Sequence, residues 1–182
     1  MTFRKLPRPV HVCQCGDHAW VNLTRGYVTL VSPEDAHLLE LRAWSTWMCK
    51  GQPRYAGCGD GLLHVIISGS VALTDHKNRN GFDNRRPNLR SATNSQNVAN
   101  CARKKNKHGY KGVFKNYKKF GAYIRVNGKP IFLGNHENAL AAALAYDKSA
   151  IQHFGEFAVL NFSQPPAAAA PLDLPLLGFS PG

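Results

Sequence analysis

The stretch KFGAYIRVNGKPIFLG, residues 119–134, constrains the fold more than any other part of the chain. Two runs alternate apolar and polar side chains with the period of a strand, and Asn127-Gly128 separates them. An Asn-Gly pair in that setting predicts a tight hairpin, because its turn needs positive φ at both central residues. GYKGVFKN, just upstream, reads as a third strand, and ENALAAALAYDKSAIQHF, just downstream, as an Ala-rich helix stopped at Gly155. Alternation then sorts the faces. Phe120, Ala122, Ile124, Ile131 and Leu133 point toward the helix, while Tyr123, Arg125 and Phe132 point away from it.

Upstream, HAWVNLTRGYVTLV reads as one or two strands. SPEDAHLLELRAW has the marks of a helix start: Ser32 as cap, Pro33 in first position, Asp35 at the positive end of the dipole, and an apolar face from Leu38, Leu41 and Trp44. GLLHVIIS and VALT read as two short buried strands joined at Gly69-Ser70, with His64 a packed, hydrogen-bonded histidine. A loop from Lys77 to Asn88 leads to a helix in TNSQNVANCARK, where Thr93 and Gln96 form a capping box. NCARKKNKHG, residues 100–109, is cationic and without periodicity, so it reads as a linker. The expected fold class is α+β.

Charge is distributed unevenly. Of 23 Lys and Arg, 15 fall between Lys77 and Lys129, and from Asp75 to Lys129 the only acids are Asp75 and Asp83. Such a block suits phosphates, whose neutralisation releases counterions and drives binding. No run approaches the roughly 18 apolar residues of a membrane span, and the N-terminus carries no signal-peptide core. Five cysteines, an odd number, without a secretion signal point to reduced thiols in a cytoplasmic protein. Cys13, Cys15 and His18 in CQCGDH, with Cys49 or Cys58 as a fourth ligand, could hold a structural Zn²⁺, although free cysteines are the default for so tight a spacing.

Asp75-His76 closes an apolar run, so the two side chains face opposite ways. A neutral His can take a proton from water near pH 7. A carboxylate with an amide oxygen, here Asp75 with Asn97 from the following helix, can hold a hard cation such as Mg²⁺. LHVII, DHKNRNGFDNRRPNLR and ATNSQNVAN, over roughly residues 62–101, resemble the HNH (ββα-metal, His-Me finger) homing-type endonucleases of phages and mobile elements. The resemblance implies that His76 is the general base, that Asp75 and Asn97 bind one Mg²⁺ or Mn²⁺, and that Asn88 supports the loop. Arg79, Arg85, Arg86 and Arg90 are expected to contact phosphates.

From His108 to Phe162 the chain resembles the Apetala-two/ethylene-response-factor DNA-binding domain, which reads the major groove with a three-stranded sheet. Matching positions are Lys111, Lys115, Tyr117, Tyr123, Arg125 and Phe132; Phe114, Tyr123 and Pro130 stand where the plant domains carry charge, so their base preference does not transfer. The implied organisation is an N-terminal α+β region over 1–62, a ββα-metal core over 63–103, a linker over 104–108, a DNA-binding domain over 109–162, and a disordered Pro/Ala-rich tail over 163–182. Function is then expected to be metal-dependent cleavage, by nicking, of double-stranded DNA by a monomer in the cytoplasm of a bacterial host. The alternative is a non-catalytic DNA-binding regulator.

Overall fold

The computed structural model describes residues 6–69, 72–101 and 107–162, so the 163–182 tail and most of the 104–108 linker lie outside the described residues. The fold is mixed α+β, built from several small sheets.

In the N-terminal half, β1 (Val10–Val12), β2 (Ala19–Asn22) and β3 (Val28–Val31) form an antiparallel meander. Pro33–Asp35 makes a 3₁₀ turn running into α1 (Ala36–Glu40). Ser32 does not cap it; its Oγ accepts the Arg86 backbone N–H at 2.9 Å. Because α1 ends after five residues, Leu39 and Trp44 reach the core while Leu41 stays in solvent. A hairpin of β4 (Ser45–Cys49) and β5 (Gln52–Cys58) follows, turning at Lys50-Gly51, where both residues have positive φ. β6 (Gly61–Leu62) pairs with the end of β5.

The expected strand GLLHVIIS is instead helical over α2 (Leu63–Ser68), closed by Gly69 in the left-handed region. A short run that is apolar but for His64 suits a buried helix as well as a buried strand, and here Leu63, His64 and Ile67 are turned into the core. The strand carrying Asp75-His76 is β7 (Leu73–His76), and its partner lies after the loop, not before it. β9 (Leu89–Ala92) pairs antiparallel to it, setting Asp75 opposite Arg90 and His76 opposite Leu89. Between them, β8 (Asp83–Asn84) adds in parallel to β3, pinning the loop to the first sheet. α3 (Asn94–Asn100) begins with the expected capping box of Thr93 and Gln96. The local order is therefore strand, anchored loop, antiparallel strand, helix.

The C-terminal half has the expected form. β10 (Val113–Asn116), β11 (Lys119–Val126) and β12 (Lys129–His136) make an antiparallel sheet with the turn at Asn127-Gly128, and α4 (Ala139–Phe154) packs on one face. Asn138 caps its start and Gly155 its end. Asp147, buried on α4, accepts the N–H groups of Asn161 and Phe162, and Asn161 bonds both backbone groups of Lys111, tying the module shut.

The two halves share a core. Ala92 of β9 and Ala99 of α3 are buried in one cluster with Ile124, Tyr146, Ala150, Phe154 and Phe157.

Candidate active site

His76 is 5% exposed and lines a pocket at the end of β7. Its Nε2 lies 3.1 Å from Asn84 Oδ1. The direction of that bond follows from the atoms behind it. Thr29 Oγ1 donates to Phe82 O at 2.9 Å, so its lone pair accepts Asn84 Nδ2–H at 2.8 Å, which turns the amide oxygen toward the imidazole. Nε2 therefore carries the hydrogen, and the lone pair sits on Nδ1, the nitrogen left for chemistry. Burial pushes the His76 pKa below the usual histidine value, against the pull of the Asn84 bond and the charges of Asp75 and Asp83, so the ring is neutral at pH 7. Asn84 went unnoticed in the sequence because its role depends on β8 joining β3.

Asp75 faces the other way, as strand geometry requires. Both of its oxygens accept from Asn100 Nδ2 at 2.9 Å, and Oδ2 accepts Arg90 Nε at 2.9 Å. Asn100 also donates to His76 O at 2.8 Å, so one amide braces both members of the pair. Asn100 is thus the last helical residue of α3 and not the start of a linker. Its place three residues after Asn97, on the same helix face, was the available signal.

Asn97 lines the His76 pocket, and its side-chain amide makes no hydrogen bond among the described residues. Asp75 Oδ1 accepts a single bond and keeps lone-pair capacity. Asp75, paired with Arg90 and Asn100, does not line the pocket that Asn97 and His76 share, so this arrangement does not form the expected ion site between Asp75 and Asn97. Asn88 braces the loop: its Nδ2 donates to Asp83 O at 2.7 Å and its Oδ1 accepts the Asn78 N–H at 3.0 Å.

The four loop arginines part company. Arg85 makes a bidentate pair with buried Asp83, whose pKa is held down chiefly by that bond, and Arg86 makes another with buried Asp35. The Arg90 side chain is 9% exposed, its guanidinium 3.6 Å from the Phe157 ring centroid, so it is turned into the protein and not toward solvent, contrary to the expected phosphate contact. Only Arg79, with φ of 66°, lines the His76 pocket and has no carboxylate partner among the described residues. Its counterpart is Arg54, on the β4–β5 hairpin, which also lines the pocket and whose Nε donates to Tyr55 Oη at 2.9 Å. Gly81 sits against this hairpin so closely that a Cβ would collide with the Arg54 carbonyl and the Tyr55 ring.

His64 packs against His76, ring centroids 4.8 Å apart and edge to face, and against Tyr55. It is a helical core residue, and its buried Nδ1 lacks the expected hydrogen bond. Burial, with the His76 charge second, lowers its pKa to about 4.

On the C-terminal sheet, Tyr123 and Phe132 are register partners on the face away from α4, and both are exposed. Arg125 shares that face, its Nη1 donating to Gly128 O at 2.9 Å, and Tyr117 stands almost wholly in solvent. Lys115 Nζ lies over the Phe120 ring at 4.1 Å. Ile131 pairs with buried Ile124 and so lies on the α4 face as expected, but it remains 37% exposed there. Lys111 is not on the outer face: its Nζ donates to Ala99 O at 2.7 Å and Cys101 O at 3.3 Å, closing the C-terminus of α3.

Cys13, Cys15 and His18 come together, with ligand atoms all within 4.8 Å of one another. Cys58 does not join them; it is buried in the N-terminal core beside Ala56 and Leu63. No helix among the described residues is long and apolar enough to cross a membrane. No protein-family model matches the chain.

Proposed function

We propose that the chain is a divalent-metal-dependent endonuclease that hydrolyses phosphodiester bonds in double-stranded DNA, with the C-terminal sheet as its duplex-recognition surface. The observation that carries this reading is the oriented His76: a buried, neutral imidazole whose Nε2 hydrogen is committed to Asn84, in a pocket flanked by Arg54 and Arg79. The strand, loop, strand, helix order around it supports the resemblance to the ββα-metal nucleases.

Arg54 and Arg79 bind the scissile phosphate and spread its charge. His76 Nδ1 takes a proton from water, the water oxygen bonds to phosphorus, and the bond from phosphorus to the departing deoxyribose oxygen breaks. Asn84 keeps the imidazole in the tautomer that can accept, and holds the imidazolium as it forms. A divalent ion beside His76 would meet the Asn97 amide on the pocket wall and would supply Lewis-acid stabilisation of the departing oxygen, whereas Asp75, paired with Arg90 and Asn100, does not line that pocket. The exposed Tyr123, Phe132 and Arg125 give the sheet a surface with apolar and cationic contacts for a groove.

Supercoiled plasmid incubated with the full chain and Mg²⁺ or Mn²⁺ should be nicked. His76→Ala should slow nicking by about 10²–10⁴-fold, the usual worth of a general base, with DNA binding by gel shift retained. Nicking by the variant at the wild-type rate, or none by the wild type with any divalent ion, would leave the regulator reading in its place.

A further inference from the structure

The turn joining β1 to β2 is built in a way that its length does not require. Cys13 N–H donates to His18 O at 2.9 Å and Gly16 N–H to Cys13 O at 3.0 Å, with Gly16 at φ 77°, so the chain folds back on itself within six residues. That closure sets three soft or borderline ligand atoms on one side. Cys15 Sγ lies 2.6 Å from Cys13 Sγ and 3.8 Å from His18 Nδ1. The Cys15 backbone N–H, 3.4 Å away, points at the Cys13 sulfur, a donor that stabilises negative charge there. The His18 ring leans on Trp20, at 5.8 Å between centroids, which fixes its orientation.

We propose that Cys13, Cys15 and His18 form a three-ligand site for a zinc-class divalent ion, whose fourth position is taken by water. Zinc–sulfur bonds of about 2.3 Å and zinc–nitrogen bonds of about 2.0–2.1 Å give a sulfur–sulfur edge of ~3.8 Å and a sulfur–nitrogen edge of ~3.6 Å, and the Cys15–His18 separation of 3.8 Å is close to the latter. The two sulfurs part by about 1 Å to reach theirs, a small rotation for the exposed Cys15. Binding as thiolates releases both thiol protons. Neither Cys49 nor Cys58 belongs to the set.

The ion staples the edge of the sheet β1-β2-β3-β8, whose far strand carries Asn84. Its effect is on the stability of that sheet, a readout independent of whether the chain cuts DNA.

The full chain, expressed in zinc-supplemented medium and purified without chelators, should carry about one zinc per chain by atomic emission. Replacement with Co²⁺ should give a thiolate charge-transfer band and visible d–d bands of tetrahedral intensity. Cys15→Ser should lose most of the metal and the charge-transfer intensity, and Cys49→Ser should keep both. Chelation should lower the melting temperature of the wild type and leave that of Cys15→Ser unmoved. If Cys15→Ser does not fold, His18→Ala serves instead, since it spares both sulfurs. Wild-type protein with under about one tenth of an equivalent of metal and no cobalt spectrum overturns the proposal, whether its thiols are free or joined as a disulfide by mass. Equal metal loss from Cys49→Ser overturns the ligand set.

Discussion

Arg90→Ala is the substitution with the most to say about how the two halves depend on each other. Its side chain is 9% exposed, and its Nε lies 2.9 Å from Asp75 Oδ2. The guanidinium stacks at 3.6 Å on Phe157, and Nη1 reaches Glu156 O at 3.3 Å. Truncation leaves Asp75 buried with only the Asn100 amide, and removing one partner of a buried pair costs about 3–5 kcal/mol. Because Asn100 still bonds both oxygens, the lower end, about 3 kcal/mol, is expected. For a chain of this size that is a fall in melting temperature of roughly 6–12 °C. Glu156→Gln is the control: the Glu156 side chain is 70% exposed, so its ion pair with Arg90 contributes under about 1 kcal/mol. The measurement is urea unfolding of wild type, Arg90→Ala, Asp75→Asn and the double variant as a thermodynamic cycle. An Arg90→Ala loss below about 1 kcal/mol, or additivity between the two sites, refutes the argument that this arginine is structural.

Three further outcomes follow from the same packing. His64 is held neutral by burial with a pKa of about 4, so its contribution is complete above the unfolded value of about 6.5 and fades as pH falls toward 4; the loss at pH 5 is about 2 kcal/mol, and His64→Leu should flatten the unfolding free energy between pH 7 and 5. Gly81→Ala forces the loop off the Arg54 carbonyl and the Tyr55 ring, costing about 1–3 kcal/mol by urea unfolding, whereas Gly128→Ala meets no atom and shows only turn strain. Asn84→Ala frees the imidazole from its tautomer and leaves the Thr29 hydroxyl oxygen without its donor; nicking should fall at least tenfold, and an unchanged rate and pH profile would remove Asn84 from the positioning role.

What could be foreseen was local. Asn127-Gly128, the Thr93–Gln96 box and the Gly155 stop each specify their structure within a few residues, and all three formed as expected. GLLHVIIS misled because its periodicity is too short to separate helix from strand, and the β4–β5 hairpin escaped because Lys50-Gly51 lacks the Asn that announces such turns. The site was half legible. His76, Asp75 and Asn97 are readable from their places in the chain and Asn88 only through the family resemblance, but Asn84, Asn100 and Arg54 come to the site through pairings that no local pattern announces. The arginines show why charge alone is a poor guide. Their carboxylates, Asp35, Asp75 and Asp83, lie in separate parts of the sequence, and only the fold brings two of the pairs together.

The core that Ala92 and Ala99 share with Phe154 and Phe157 has a geometric consequence. Modules joined only by a string would let the reading head and the blade wander, and scission would scatter around the recognised site. Here packing, not the string, sets the separation, so the molecule is a ruler. On the proposed function, the cut should fall at a fixed number of base pairs from the bound sequence, and inserting glycines within residues 102–106 should leave that number unchanged.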